Sequence, residues 1–276
     1  MKTTLLLVLP LCLGAQTRLT HNETIQRSFP ATKSVGVANI SGSIHVTGYN
    51  GNEVQMTAVR TDQAETQDAL ARAAREVKLV AEVKDGQLQI YPDGPFREDQ
   101  HHNPFDRNSF HDKGYHFDFD ITLKVPTSTD LDLRNVNKGE ITVQDVHGHF
   151  DVKHVNGPID LKGMAGSGDV SSVNGGVHVA FSQNPAGPCR FKTVNGAIDV
   201  ELRSGANADL EYKTVHGGIY TDFDLAGTVA PVSGAAENKN GKFVYRSHGL
   251  SRARIGAGGP LLTFETVNGE IRIRRR

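Results

Sequence analysis

The sequence predicts an all-β chain, built as a β-solenoid-like stack of short strands that are joined by Asn-Gly corners. The first observation is a repeat, which is seen in FKTVNGAIDVEL (191–202), YKTVHGGIYTDF (212–223) and FETVNGEIRIRR (264–275). The second is strict alternation after each corner: Ile198, Val200 and Leu202 are separated by acidic residues. Alternation with a period of two indicates a strand with one buried face.

The corners share an Asn or His that is followed by Gly, directly or after one residue. They are Asn137, Asn156, Asn174, Asn195, His216 and Asn268. Up to His216 they lie 18 to 21 residues apart, and the last interval is 52 residues. Asn, Gly and His all tolerate the positive φ that a sharp corner is expected to need. Ordinary Asn-Gly hairpins are the alternative, but the regular spacing and the Val before most corners favour a stack.

Stacking gives the repeated Asn a structural role. Strands in a sheet lie ~4.8 Å apart, and at that distance Asn side chains can hydrogen-bond to one another in a row. We therefore predict that the six corner residues form a structural ladder. The interval of 52 residues predicts a degenerate or excursive coil, and the basic C-terminal end is interpreted as a charged cap on the last coil or as a contact for an anionic surface.

The part before the repeats is less regular. Residues 64–77 are Ala-rich with apolar residues at helical spacing, which predicts one helix. Residues 77–92 predict a hairpin around Asp85-Gly86, and the polar stretch 93–116 predicts a His-rich surface loop. We expect residues 16–120 to cap a repeat domain of 121–276, with which residues 35–120 are continuous.

The N-terminus has the pattern of a secretory signal peptide over residues 1–15. Lys2 precedes a short apolar run, and Gly14-Ala15 supplies small residues for cleavage before Gln16. A lipoprotein signal at Cys12 is the disfavoured alternative, because Leu11 is bulky. After cleavage we expect no transmembrane segment, a secreted, periplasmic or envelope location, and no internal disulfide, since only Cys189 would remain.

Residues ITLKVP, then LDLRNVNKGEITV, then repeated TVNGxI, with a helix and hairpin upstream, resemble the bacterial family named "putative adhesin", a domain of unknown function. The resemblance covers roughly residues 35–276 and is strongest from 121 onward. It implies a right-handed, β-helix-like solenoid in an exported or envelope-associated protein. It implies no catalytic residues.

Three clusters suggest chemistry, and a structural interpretation is favoured for each. The His-rich loop (His101, His102, His111 and His116) lacks a strict zinc motif. The acidic strand positions (Asp118, Asp120, Asp130 and Asp132) suggest Ca²⁺ binding or glycoside hydrolysis, but outward charge is general in these strands. The single GSGD at 166–169 lacks the tandem repetition of a calcium-binding repeat. We therefore assign no catalytic, metal or cofactor residue, and we interpret Cys189 as a small buried residue.

These observations predict a non-enzymatic exported protein that presents a repetitive polar surface. Expected partners are a polysaccharide or an envelope or surface protein. Nucleic acid is excluded, because 30 basic and 31 acidic residues give a formal net charge of −1. Two alternatives remain: a β-helix carbohydrate-active enzyme, and a metal-responsive envelope protein that acts through the His-rich loop.

Overall fold

The computed structural model describes residues 18–96, 114–226, 237–239, 242–245 and 251–276. Within these ranges the chain is mostly β, with one helix and two mixed sheets, as the alternation predicts. The elements before residue 130 are β1 (Leu19–Pro30), β2 (Ser34–Ala38), β3 (Ile44–Tyr49), β4 (Glu53–Ala64), α1 (Gln67–Glu76), β5 (Lys78–Lys84), β6 (Gln87–Asp93) and β7 (Tyr115–Pro126). The later strands are β8 (Asp130–Asn135), β9 (Ile141–Gln144), β10 (Phe150–His154), β11 (Ile159–Met164), β12 (Gly168–Ser172), β13 (Val177–Phe181), β14 (Cys189–Lys192), β15 (Ile198–Leu202), β16 (Ala208–His216), β17 (Ile219–Thr221), β18 (Leu225–Ala226), β19 (Glu237–Lys239), β20 (Lys242–Tyr245), β21 (Ser251–Ile255), β22 (Leu261–Asn268) and β23 (Ile271–Arg275).

From β8 to β15, consecutive strands alternate between the two sheets. Sheet A has the order β1-β4-β7-β3-β9-β11-β13-β15-β23-β17-β20-β19, and sheet B has the order β18-β21-β16-β22-β14-β12-β10-β8-β2-β6-β5. In this region each strand pairs in parallel with the strand two places later. Each turn of the chain therefore adds one strand to each sheet and lies in register on the turn before it.

The core consists of rows of apolar side chains that run across the stacked strands. One row in sheet A contains Ile141, Ile159, Val177, Ile198, Ile271 and Ile219. One row in sheet B contains Leu133, Val152, Val170, Phe191, Phe264 and Tyr212. All twelve side chains are buried, and the rings of Phe191 and Phe264 stack with centroids 5.2 Å apart. Burial of each side chain contributes ~1.5–3 kcal/mol relative to exposure.

The last turn of the chain does not lie at the end of the stack. β22 pairs with β14 on one side and with β16 on the other, and β23 lies in the same way between β15 and β17. The long interval before Asn268 contains strands that pair antiparallel beyond β16 and β17, after which the chain returns to the stack.

The charged-cap interpretation of the C-terminal end is therefore wrong. β23 pairs with β15 on one side and with β17 on the other, so it is an interior strand. Its Ile271 and Ile273 alternate inward and are buried.

The N-terminal part forms a wider antiparallel end of sheet A. β1, β4 and β7 are each twelve residues long and pair antiparallel in that order. The predicted helix is α1, which begins at a Thr66 cap whose hydroxyl accepts from the backbone N–H of Ala69. The predicted hairpin is β5–β6, and Asp85 and Gly86 both adopt positive φ in its turn. No helix in the described ranges is long and apolar enough to cross a bilayer.

A buried ion pair joins α1 to the sheet. Arg60 is 4% exposed and Asp62 is 0% exposed, and Arg60 Nε donates to Asp62 Oδ1 at 2.9 Å. The other guanidinium nitrogens donate to the carbonyls of Ala73 (2.7 Å) and Val77 (2.9 Å) at the end of the helix. Arg60, which lies on β4, thus caps the C-terminus of α1 by donating to its last carbonyl groups. Burial raises the pKa of Asp62, although the hydrogen bond and the charge of Arg60 oppose that shift.

Replacement of Arg60 by Met is expected to lower the free energy of unfolding by about 3–5 kcal/mol, because it leaves a buried carboxylate without its partner. The measurement is urea unfolding followed by circular dichroism. The matched control is Arg134→Met, which removes an exposed pair with Asp132 and should cost no more than about 1 kcal/mol. Equal losses in the two variants would contradict the capping role of Arg60.

Candidate functional site

The six corner residues lie in one row along a single edge of the stack. The order is Asn137, Asn156, Asn174, Asn195, Asn268 and His216, so the row follows the stacking order and not the sequence order. Each later Asn donates from its side-chain Nδ2 to Oδ1 of the Asn before it. The distances are 3.3 Å (156 to 137), 2.9 Å (174 to 156), 2.8 Å (195 to 174) and 2.8 Å (268 to 195). His216 Nδ1 lies 3.1 Å from Asn268 Oδ1 and ends the row.

The Gly after each corner residue is needed for close approach. Five of the six corner residues are followed directly by Gly: Gly157, Gly175, Gly196, Gly217 and Gly269. A Cβ added to any of these glycines would lie 1.8–2.4 Å from the carbonyl oxygen of the corner Gly in the adjacent turn. The expectation of positive φ is wrong for these corners, since their residues do not adopt it. It applies only to the variant corner, where Lys138 has φ 53° and Gly139 has φ 71°.

A second row lies just inside the first, and sequence reasoning missed it. The hydroxyls of Ser172, Thr193, Thr266 and Thr214 each donate to the carbonyl oxygen of a corner Gly in the adjacent turn, at 2.9–3.1 Å. All four residues are buried. The signal was the recurrent Thr or Ser two positions before the corner residue, which satisfies a carbonyl that the corner would otherwise leave without a partner.

The same inner row contains His154. Its ring is buried, with Nε2 at 3.2 Å from Asn135 Nδ2 and Nδ1 at 3.4 Å from the carbonyl oxygen of Pro158. A neutral ring satisfies both contacts, since Nε2 accepts from the amide and Nδ1–H donates to the carbonyl. Burial lowers the pKa of His154 below its ordinary value.

Apolar side chains follow the outside of the same corners. The residue before each corner residue is Val136, Val155, Val173, Val194, Val267 or Val215. Val173, Val267 and Val215 are 40%, 38% and 44% exposed. Together with the six ladder residues, these valines form what we call the corner surface, which repeats once per turn, ~4.8 Å apart.

The outer face of sheet A carries a network of opposite charges. His178 Nδ1 lies 2.7 Å from Asp160 Oδ1, and its Nε2 lies 3.7 Å from Glu201 Oε1. Arg274 bridges Glu201, at 3.6 Å, and Asp199 on the neighbouring strand. Partial burial opposes ionisation of Asp160, but hydrogen bonds from His178 and Lys162 outweigh it and lower the pKa of Asp160.

A shallow depression lies beside this network. It measures about 310 Å³ and is lined by Tyr220, Asp222, Glu270, Arg272, Ile273 and Arg274. Arg272 pairs with Glu270, so both charges are already compensated. Carboxylates and arginines from adjacent turns do converge here, which is the arrangement that a β-helix enzyme would need.

The acidic strand positions of the sequence lie apart and bind local partners. Asp118 accepts from the Ser41 hydroxyl, and Asp120 accepts from the backbone N–H of Ser43. Asp130 accepts from the backbone N–H of His149, and Asp132 pairs with Arg134. The first two lie on β7 in sheet A and the other two on β8 in sheet B, so the four form no common site.

The remaining sequence candidates are structural where they are described. In GSGD, a Cβ on Gly166 would meet the carbonyl oxygen of Gly148 at 1.9 Å, so this Gly allows close stacking. Cys189 is buried, and burial raises the pKa of its thiol to about 11, which makes it unreactive. His101, His102 and His111 lie outside the described residues, while His116 lies on β7. The described ranges contain no group of three or more His, Cys, Asp or Glu placed to hold a metal.

No protein-family model matches this chain, and no curated protein matches it. Among solved structures, a "putative cell adhesion protein" from Clostridium sporogenes is 10% identical, with a TM-score of 0.42 over 94% of this chain and 100% of that one. A "putative adhesin" from Bacteroides fragilis is 12% identical, with a TM-score of 0.38 over 92% and 97%. A "putative lipid binding protein" from Parabacteroides distasonis is 11% identical, with a TM-score of 0.27 over 93% and 97%. At these values the names do not extend to this chain.

Two adjacent glycines test the close approach of the turns. A Cβ on Gly175 would lie 2.0 Å from the carbonyl oxygen of Gly157, whereas a Cβ on Gly176 would have its nearest neighbour at 3.5 Å. Gly175→Ala is therefore expected to cost about 1–3 kcal/mol or more, and Gly176→Ala should be neutral or slightly stabilising. Thermal unfolding of the two variants measures the difference. Similar melting temperatures would show that the turns are not packed this closely.

Acidification tests the environment of His154. The pKa of this His is lower in the folded chain than in the unfolded chain, where it is about 6.5. Its contribution to stability is complete above pH ~6.5 and is lost as the pH falls toward the folded pKa, because the unfolded chain then binds the proton preferentially. His154→Thr, which copies residues 193, 214 and 266 in the same row, should flatten the decline in melting temperature between neutral and mildly acidic pH. The same decline in both proteins would contradict this role.

Proposed function

We propose that this chain is an exported, adhesin-like β-solenoid that binds a polysaccharide in the cell envelope or outside the cell, without catalysis. The observation that carries the proposal is the corner surface, in which a valine and a polar corner residue, Asn in five turns and His in the sixth, repeat from turn to turn. A repeated surface binds a repeated ligand through many weak contacts, and their combined strength exceeds that of any one.

The chemistry of the corner surface favours a hydroxyl-rich polymer. An Asn side chain has two N–H donors, and the ladder uses one of them. The second N–H of each amide is therefore available to a sugar hydroxyl. The exposed Val173, Val267 and Val215 offer apolar area to the C–H faces of the sugar rings.

The proposal includes several predictions that were made from the sequence. Residues 1–15 act as the signal peptide, residues 16–120 cap the stack, and residues 121–276 form the repeat domain. The ladder from Asn137 to His216 is structural, since its hydrogen bonds hold the corners in place, and its exposed side forms part of the corner surface that binds. The resemblance to the "putative adhesin" family agrees with this assignment. The metal-responsive alternative depends on the loop at 93–116, most of which lies outside the described residues.

The charge network on sheet A supports one second candidate, a carbohydrate-active enzyme. Asp199 and Glu201 share Arg274, and His178 lies between Asp160 and Glu201. Against catalysis, these carboxylates are already engaged by cations, and the nearby depression is itself lined by the paired Glu270 and Arg272. Paired acids in glycosidases flank the bond that they cleave.

The proposal is tested by incubating the chain from Gln16 onward with a panel of envelope and plant polysaccharides. Retention on each polymer and release of new sugar ends are measured together. We expect retention on at least one polymer and no release of sugar ends. Release of sugar ends would contradict the non-catalytic assignment, and absence of retention on every polymer would contradict polysaccharide binding.

The surface itself is tested by a triple variant, Val173→Gln, Val215→Gln and Val267→Gln. We expect retention to weaken by about tenfold or more, since a loss of ~1.4 kcal/mol is tenfold in affinity. The matched control is Val59→Gln with Val83→Gln, because these valines are also exposed but lie away from the corners. Equal retention by both variants would place the binding site elsewhere.

A further inference from the structure

Strand β1 is a long edge of sheet A in the part of the chain that the structure describes. It pairs with β4 over all twelve residues, and no strand in the described ranges pairs with its other side. Nine of its twelve residues are exposed. In an antiparallel pair, alternate residues direct their N–H and C=O groups away from the partner, so β1 offers a row of backbone donors and acceptors to another strand.

The two faces of β1 are chemically different. Its odd-numbered residues lie opposite the buried face of β4, and Ile25 and Phe29 among them pack against the core. Its even-numbered residues, from Thr20 to Ser28, are uncharged and polar. A second strand that continues the sheet must therefore place its own core-facing side chains on the odd face.

Two copies of β1 meet this requirement in one antiparallel register. If Ile25 lies opposite Ile25 of a second copy, Glu23 of each chain lies opposite Arg27 of the other. His21 then lies opposite Phe29, and the even face pairs only uncharged residues. The register thus forms two opposite-charge pairs that are related by a two-fold axis.

Neighbouring registers mismatch the faces, lose the opposite-charge pairs or oppose like charges. A shift by one residue places core-facing residues of one copy beside outward-facing residues of the other. A shift by two residues leaves Glu23 and Arg27 opposite uncharged residues or His21, so both opposite-charge pairs are lost. A shift by four residues places Glu23 opposite Glu23, or Arg27 opposite Arg27. Like charges in direct opposition are destabilising.

The other edge in this part of the molecule does not have this complementarity. β5 is the last strand of sheet B among the described strands, and it has only seven residues, with exposed Lys78, Glu82 and Lys84. Charged side chains on a short edge strand are a common protection against edge-to-edge association. β1 is the longer edge, and its charges complement those of a second copy.

We propose that two copies of this chain associate through β1 in an antiparallel register centred on Ile25, which joins their A sheets into one continuous sheet. The isologous pairing closes with two-fold symmetry, so it produces a dimer and not a filament. A dimer would also present two corner surfaces to a polymer. The association does not require that the corner surface binds anything.

The test is sedimentation equilibrium of the chain from Gln16 onward over a range of protein concentrations. The single variants Glu23→Arg and Arg27→Glu each replace two attractive pairs with two repulsive ones, and the double variant restores opposite charges in exchanged positions. We expect a dimer for the unchanged chain and for the double variant, and about tenfold or greater weakening for each single variant. Circular dichroism of all variants shows that the fold is retained.

A matched control exchanges charges away from the edge. Asp132→Arg with Arg134→Asp alters an exposed pair on sheet B and should leave the dimer unchanged. Glu23 also lies 3.9 Å from Arg60 within its own chain, so Arg27→Glu is the cleaner single variant. A monomer at every concentration would overturn the proposal. So would a dimer whose strength is the same in both single variants and in the unchanged chain.

Discussion

The structure depends on one constraint: each turn of the chain must follow the same path as its neighbour, close enough for backbone to touch backbone at the corners. A Cβ on the corner Gly would lie within 1.8–2.4 Å of the adjacent carbonyl oxygen. The inner hydroxyls then reach that same carbonyl, and the outer amides reach one another. The apolar rows, the hydroxyl row and the Asn row are consequences of a single in-register stacking.

Short-range pattern was sufficient for much of this fold. Alternation after the corners identified the strands and their buried faces, and local composition identified α1 and the hairpin at Asp85-Gly86. Two features could not be predicted from the sequence, because they depend on residues that are distant along the chain. Asn268 lies beside Asn195, 73 residues earlier in the sequence, and nothing local to either residue specifies that neighbour. The reason for Gly at the corners also lies in the adjacent turn, so local backbone preferences suggested positive φ instead.

The candidate site also has features that short-range sequence pattern predicts and features that depend on long-range contacts. The six ladder residues could be named from their repeated motif. The buried hydroxyl row could not, because a Thr such as Thr193 is as compatible with the exposed face of a strand as with a buried one, and the sequence alone does not distinguish the two. The charge network on sheet A could not be found from sequence, since Arg274 meets Asp199 only when the last turn is inserted beside β15. The corner surface and the charge network on sheet A therefore both depend on the order in which the turns stack.

The most direct test of this account is disulfide trapping of the stacking order through paired cysteines in the corner row. The pairs are Asn195→Cys with Asn268→Cys, Asn268→Cys with His216→Cys, and Asn195→Cys with His216→Cys. We expect efficient oxidation of the first two pairs and little of the third, because the last turn separates residues 195 and 216. Efficient oxidation of the third pair alone would show that the turns stack in sequence order and would contradict the account.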